Sequence, residues 1–276
     1  MKRHGLVGEL LAEFFGTAIL ILFGVGVVAQ VVTKGENDFG EYTTIAMGWG
    51  LGVTLGIYVA ARLSGAHLNP AVSIALAAFR GFEWAKVVPY AIAQFLGAFV
   101  AALLVRWNYS EAIAAIDPNH TIATQGIFST LPGNGALDIT TMEAFRDQVI
   151  GTAILVFVIF AIADLKNSAP AANLGPLIIG LLVVWLGIAW GSVAGYAINP
   201  ARDFGPRVAE FITGYGGAMR DQNGSFYFWV PIVGPIIGGL IGGALYKFGI
   251  ERFLPPADAP DPDATLEPHS KENARA

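Results

Sequence analysis

The sequence predicts an all-α membrane protein of six transmembrane helices plus two half-helices, arranged as an inverted repeat. Three observations predict it. Apolar stretches long enough to cross a bilayer recur six times, one Asn-Pro-Ala phrase occurs twice within such sequence, and further motifs recur in the same order in both halves. Hydrophobic residues make up 54% of the 276 and charged residues 13%, with a mean hydropathy of +0.58, a balance rare in soluble domains of this length.

The spans are expected near 7–32, 42–62, 84–106, 144–164, 176–196 and 228–250, each about the 20 residues that a membrane helix needs. The first follows Met1-Lys2-Arg3-His4, a charged start that a signal peptide shares. Glu9 and Glu13 interrupt that pattern and no small-residue cleavage site follows, so the stretch reads as the first transmembrane helix. The second and fifth spans each run into the repeated phrase, Gly65-Ala66-His67-Leu68-Asn69-Pro70-Ala71 and Gly195-Tyr196-Ala197-Ile198-Asn199-Pro200-Ala201. Asn is a preferred N-cap and Pro is tolerated at the first helical position, so each copy opens a helix directly after a polar kink. The stretches that follow, 69–79 and 199–212, are too short to cross and are expected to be half-helices entering from opposite sides. A Pro-rich acidic segment without apolar periodicity, 255–276, closes the chain as an expected disordered cytoplasmic tail and supplies much of the net charge of −5.

Six spans put both ends on one side. That side holds Lys2, Arg3, Arg62, Arg80, Lys86, Lys166, Lys247, Arg252, Lys271 and Arg275; Lys34, Arg106, Arg146, Arg202, Arg207 and Arg220 fall opposite. Cytoplasmic loops are enriched in Lys and Arg, so both termini are expected to be cytoplasmic.

Gly16-Thr17-Ala18-Ile19-Leu20 returns as Gly151-Thr152-Ala153-Ile154-Leu155, and each half-helix is followed by a span with an early proline, Pro89 and Pro231. Two halves are therefore expected, 1–125 and 140–254. An odd number of spans in each inverts the second relative to the first. Inverted repeats with broken helices at their interface are a recurrent transport architecture whose solute path lies near the midplane.

That arrangement brings two helix N-termini together, each presenting roughly half a positive charge, which disfavours cations. Asn69 and Asn199 can cap their own helices through the side-chain carbonyl, leaving both amides as donors for a neutral solute with oxygen lone pairs. A water held by donors alone points its hydrogens outward, which breaks a proton-conducting chain. The kinked residues Gly65, Ala66, His67, Gly195, Tyr196 and Ala197 cannot be helical, so their carbonyls become acceptors along the path. Arg202, in the first turn of the second half-helix, is costly at membrane depth. It either lines a narrow constriction or snorkels to the surface as an anchor.

These residues carry a specific resemblance. Ser64-Gly65-Ala66-His67-Leu68-Asn69-Pro70-Ala71-Val72 and the stretch from Gly195 through Arg202-Asp203 to Arg207 resemble the two signatures of the aquaporin superfamily, over about residues 7–250. Asp203 after Arg202, Arg207 four residues on, and Val230-Pro231-Ile232 are similar to the glycerol-conducting branch. The resemblance implies a filter formed by Arg202 with Trp49, Gly187 and Tyr196. Gly187 stands where water-selective relatives usually carry His and would widen the pore, while Trp49 and Tyr196 would give an apolar wall for a carbon chain. The alternative for Trp49 is a place in an interfacial aromatic belt. Tyr196 departs from a frequent Phe and adds a hydroxyl. Glu13 and Gln148 occupy matching positions before the repeated Gly-Thr-Ala-Ile-Leu; the family commonly has Glu in both, accepting bonds from loop backbone, so Gln148 lacks the charge-assisted part. Asp203 and Arg207, at i, i+4 spacing, are accounted for by a plain ion pair of small worth. The resemblance also implies a homotetramer in the plasma membrane.

A membrane enzyme would need a nucleophile or metal cluster, and four scattered histidines with no cysteine offer neither. An energised transporter would carry midplane carboxylates; Glu13 is the one candidate in the first half, and Gln148 answers it with an amide. The expectation is a passive channel, not an enzyme, without cofactor, metal or nucleic-acid partner, passing glycerol and small neutral polyols with some water across the lipid bilayer. The alternative is a water-preferring pore with weak glycerol leak.

Overall fold

A computed structural model describes residues 5–34 and 41–256. In chain order these form α1 (Leu6–Thr33), α2 (Glu41–Ser64), α3 (Pro70–Phe79), α4 (Trp84–Asn108), the short α5 (Ser110–Ile116) and α6 (Ile122–Gln125), α7 (Thr141–Ala163), α8 (Gly175–Ala194), α9 (Pro200–Ile212) and α10 (Val230–Gly249). Helices α1, α2, α4, α7, α8 and α10 are long and apolar enough to cross a membrane, as the hydropathy pattern predicts. Helices α3 and α9 are the two half-helices. The expected tail lies outside the described residues from position 257 onward, as do Lys2 and Arg3 of the charge count.

Local chemistry sets the boundaries. α7 begins three residues earlier than expected because Thr140 caps it: the Thr140 hydroxyl accepts the Glu143 N–H at 3.2 Å, and Glu143 accepts the Thr140 N–H at 3.0 Å in return. α8 stops two residues early, at Ala194, because Gly195 turns left-handed at φ 64°. On α4 the large side chains Val88, Ile92, Leu96, Val100 and Leu104 stand exposed at four-residue spacing, a stripe suited to lipid.

The two halves pack alike. α1 lies against α2 and α4, and α7 lies against α8 and α10. Each half-helix then crosses over: α9 packs on α4 of the first half, and α3 on α10 of the second. Small residues set the close approaches. Gly97 of α4 sits on the carbonyl of Phe14 and Gly238 of α10 on that of Val149, so an added Cβ would collide with backbone at both. Phe14 and Val149 each stand two residues before the repeated Gly-Thr-Ala-Ile-Leu.

At the far end of α3, Arg80 pairs with Asp164 at 3.3 Å and Glu251 at 3.4 Å and lies over the rings of Phe160 and Tyr246. This joins the first half-helix to the ends of α7 and α10. Burial pushes the Asp164 carboxyl up, but the Lys166 N–H, Arg80 and the Tyr246 hydroxyl outweigh it and hold the group below its ordinary value.

Candidate functional site

The site is built from the two helix starts. Asn69 (φ −158°, ψ 119°) and Asn199 (φ −157°, ψ 111°) adopt nearly identical extended backbones, and each side-chain carbonyl caps its own helix. Asn69 accepts the Ala71 N–H at 2.9 Å; Asn199 accepts those of Ala201 at 3.0 Å and Arg202 at 3.2 Å. Pro70 and Pro200 occupy the first helical positions, where a missing N–H costs nothing. The amides differ from expectation. Asn69 donates one N–H across to the Ile198 carbonyl at 2.8 Å, and Asn199 one to the Leu68 carbonyl at 2.7 Å. Half of each amide's donor capacity therefore joins the halves, and one N–H per asparagine is left for a solute.

The preceding segments alternate in hand. Gly65, Ala66 and Leu68 have φ of 86°, 51° and 51°; Gly195, Tyr196 and Ile198 have 64°, 36° and 44°. Positive φ is uncommon outside glycine and a genuine outlier for a β-branched residue such as Ile198, so something must hold these turns. In the first half it is Glu13, fully buried, which accepts the N–H groups of His67 at 2.9 Å and Leu68 at 2.7 Å, the Ser64 hydroxyl at 2.6 Å and the Gln94 amide at 2.8 Å. In the second half Gln148 does the work with both ends: its carbonyl accepts the Ile198 N–H at 2.8 Å and its amide donates to the Ala194 carbonyl at 2.8 Å. Leu68 and Ile198 are equivalent positions, and the repeated glycines make room for them. A Cβ on Gly16 would lie 2.6 Å from the Leu68 side chain and one on Gly151 would lie 3.2 Å from that of Ile198.

With their N–H groups drawn to that side, the kinked residues face a cavity of 230 Å³ lined by Gly65, Ala66, His67, Tyr196, Ala197, Asn69 and Asn199. Gly195, expected among them, is absent from the lining; its turn is packed against Thr130 instead, 3.0 Å from where a Cβ would project. His67 also bonds Ser73 through Nδ1 at 2.9 Å and packs edge-on to Phe82. The rest of the lining is largely apolar and includes Leu20, Val53, Ile57, Val72, Leu155, Ile159 and Val183. Polar groups and aliphatic side chains in one lining suit a solute that carries both hydroxyls and carbons.

Trp49, Tyr196 and Arg202 also line the cavity. Arg202 is 7% exposed and Trp49 3%, so neither reaches a surface as an anchor. The guanidinium lies 3.7 Å over the Trp49 ring, and its Nη1 donates to the Phe128 carbonyl at 3.5 Å. Gly187 acts differently from expectation. It does not line the cavity; a Cβ there would lie 2.9 Å from Cζ of Tyr196, so the missing side chain houses the Tyr196 ring instead of widening the path.

Asp203 and Arg207 are a further correction. Both are fully buried and pair at 2.8 Å, and they clamp loops onto α9. Asp203 accepts the Thr130 N–H at 2.8 Å and hydroxyl at 2.7 Å, while Arg207 donates to the Ala218 carbonyl at 2.5 Å and the Thr130 carbonyl at 2.7 Å. Removing water from both charges raises the stakes well above a surface pair. Glu210, one turn on and also fully buried, accepts the Ser129 hydroxyl. Sequence reasoning missed Ser64, Gln94, Thr130 and Glu210. For Glu210 a signal existed, since a fourth charge on a half-helix inside the membrane needs a buried partner.

Comparison with known proteins places this geometry. The family model described as "Major intrinsic protein" matches residues 1–246. The chain is 45% identical over 264 residues to the glycerol uptake facilitator protein of Pseudomonas aeruginosa, covering 92% of this chain and 93% of that protein. It is 46% identical over 244 residues to aquaglyceroporin-2 of Rhizophagus irregularis, covering 86% and 75%. The crystallographic structure of the aquaglyceroporin from Plasmodium falciparum superposes with a TM-score of 0.82 at 33% identity, over 91% of this chain and 99% of that one. Two capped half-helices meeting inside six spans, in a chain matched almost throughout by the family model, make this protein a member of the major intrinsic protein family.

Proposed function

We propose that the chain is a passive channel for glycerol and related small neutral polyols, with some water permeation and exclusion of protons and ions. The observation that carries this reading is the cavity's mixed lining, which brings Asn69, Asn199 and the kinked residues together with aliphatic side chains and with an arginine stacked on the Trp49 ring. A polyol sliding through keeps its carbons on the apolar wall. Its hydroxyls accept from Asn69, Asn199 and Arg202 and donate to the carbonyls of residues 65–67 and 196–197. Hydrogen bonds to water are thus exchanged for equivalent ones inside, which keeps entry and exit both easy. The buried Arg202 charge and the positive ends of α3 and α9 oppose cations, and donors alone at the two asparagines interrupt a proton chain. Glycerol facilitator and aquaglyceroporin relatives at 45 and 46% identity support the same reading.

The two halves, 1–125 and 140–254, are read as inverted copies that share this one path, with both termini cytoplasmic in the plasma membrane and four subunits each carrying a pore. One observation favours the alternative, a water-preferring pore: the Tyr196 ring fills the room that Gly187 leaves. Purified protein in liposomes, followed by stopped-flow light scattering, separates the two. Glycerol entry well above the lipid background is expected; high water flux with background glycerol flux would establish the water-preferring pore instead.

A further inference from the structure

A place that the second half fills with aromatic rings stands open in the first. It is a groove between the ends of α1 and α4, with a volume of 640 Å³ and a lining that includes Leu22, Gly26, Gln30, Leu104, Val105 and Asn108. Volumes of that order hold small ligands. The repeat explains the opening. The recurring Gly-Thr-Ala-Ile-Leu matches α1 to α7, and the close approaches of Gly97 and Gly238 match α4 to α10, so Leu22 answers to Phe157 and Val105 to Tyr246. In the second half those two rings meet edge to face with centroids 5.7 Å apart, and Tyr246 is fully buried. The smaller pair in the first half leaves the space empty of side chain. Gly26 keeps it clear, since an added Cβ there would meet nothing within 4 Å.

The groove is graded along its length. Leu22, Phe23 and Leu104 line the deep part, whereas Gln30, Asn108 and Tyr109 stand near the helix ends. The Tyr109 hydroxyl donates to the Gln30 carbonyl at 3.3 Å, and the Gln30 amide and the Asn108 side chain have no partner among the described residues. These polar groups are also particular to the first half, where the second has Leu165 and Gly249. Trp107, 77% exposed, marks the same level, as an interfacial aromatic does. None of the lining residues carries a formal charge. From Leu22 to Gln30 the helix rises about 12 Å, close to the roughly 15 Å of hydrocarbon in one leaflet.

We propose that this groove is a binding site for one acyl chain of a membrane glycerolipid, whose ester oxygens accept from the Gln30 amide and the Asn108 side chain. Length, apolar depth and an uncharged polar end all match the chain and ester region of such a lipid. An anionic headgroup by itself would find no cation in the lining.

The test places the full chain in phosphatidylcholine vesicles doped with a phosphatidylcholine that carries a photoactivatable diazirine on one acyl chain, and maps the cross-links by mass spectrometry. Residues 22–30 and 104–109 are expected to be labelled well above Leu245 and Phe248, which are exposed at the matching places of the second half. Gly26→Leu fills the groove without a clash and is expected to lower its label about tenfold, what about two unburied methylenes amount to. Label along the α4 stripe from Val88 to Val100 should hold. Where Gly26→Leu does not insert, Leu22→Phe, which brings in the residue of the second half, carries the same test. Equal label on the two halves, or groove label that survives the substitution, overturns the site. A groove that takes no label overturns it as well and points to a second copy of the chain as its cover.

Discussion

Asp203 and Arg207 form an ion pair at 2.8 Å in which neither side chain has any exposed surface. Breaking such a pair by removing one partner leaves an uncompensated buried charge and costs about 3–5 kcal/mol. Arg207→Met is therefore expected to lower the stability of the detergent-solubilised protein by about that amount, read as a large drop in its thermal midpoint. A midpoint within a degree or two of the wild type would mean that water reaches the pair.

Glu13 and Gln148 are expected to respond unequally to exchange. Both oxygens of Glu13 accept two hydrogen bonds each, so in Glu13→Gln an amide N–H must face donors that already point inward. Gln148→Glu loses one donor, to the Ala194 carbonyl, and keeps its acceptor role toward Ile198. Thermal unfolding should show the first variant destabilised more than the second, each by about 1–3 kcal/mol per unsatisfied group.

Gly187→His alone must displace the Tyr196 ring that it would meet at 2.9 Å, so the single variant is expected to lose both glycerol and water flux in liposomes. Gly187→His combined with Tyr196→Ala gives the imidazole space and is expected to restore water flux well ahead of glycerol flux. Full glycerol flux in the single variant would show that the ring does not occupy that space.

Acid should loosen the Arg80 junction. The Asp164 carboxyl is held below its ordinary value of 3.8, so its contribution to stability is fully present above that value and is lost as the pH falls through the lower folded-state value. The thermal midpoint is expected to fall more steeply below about pH 4 in the wild type than in Asp164→Asn, whose side chain does not titrate. Parallel curves for the two proteins would remove Asp164 from the acid response.

Arg202→Val should admit charge. Taking a buried cation out of the constriction removes the main electrostatic barrier there, and vesicles holding a pH-sensitive dye are expected to dissipate a proton gradient faster than those with the wild type.

Much of this molecule is legible in its sequence because membranes simplify the rules. Backbone in lipid must be helical, so apolar length alone located six spans to within about three residues at most ends, and Asn-Pro located the half-helix starts. The pairing of Glu13 with Gln148 was likewise readable from the repeat. What a one-dimensional pattern cannot express is which side chain fills a given gap. Gly187 looks like an opening until the Tyr196 ring is found against it. Asp203 and Arg207 have the spacing of an ordinary surface pair, and only the loops folded over α9 reveal that water is excluded from both. The second use of each asparagine amide was hidden for the same reason: its acceptor lies about 130 residues away in the chain.

That crossed pair of asparagine bonds also bears on how the protein is made. The Leu68 carbonyl accepts from Asn199, a residue synthesised long after the first three spans have entered the membrane. Until then the kink before α3 has the Glu13 bonds but lacks the one from Asn199, and α3 lacks its packing surface on α10. The first half is thus an unfinished object by construction. It becomes rigid when its later twin arrives, and the event that completes the fold is the same one that closes the pore.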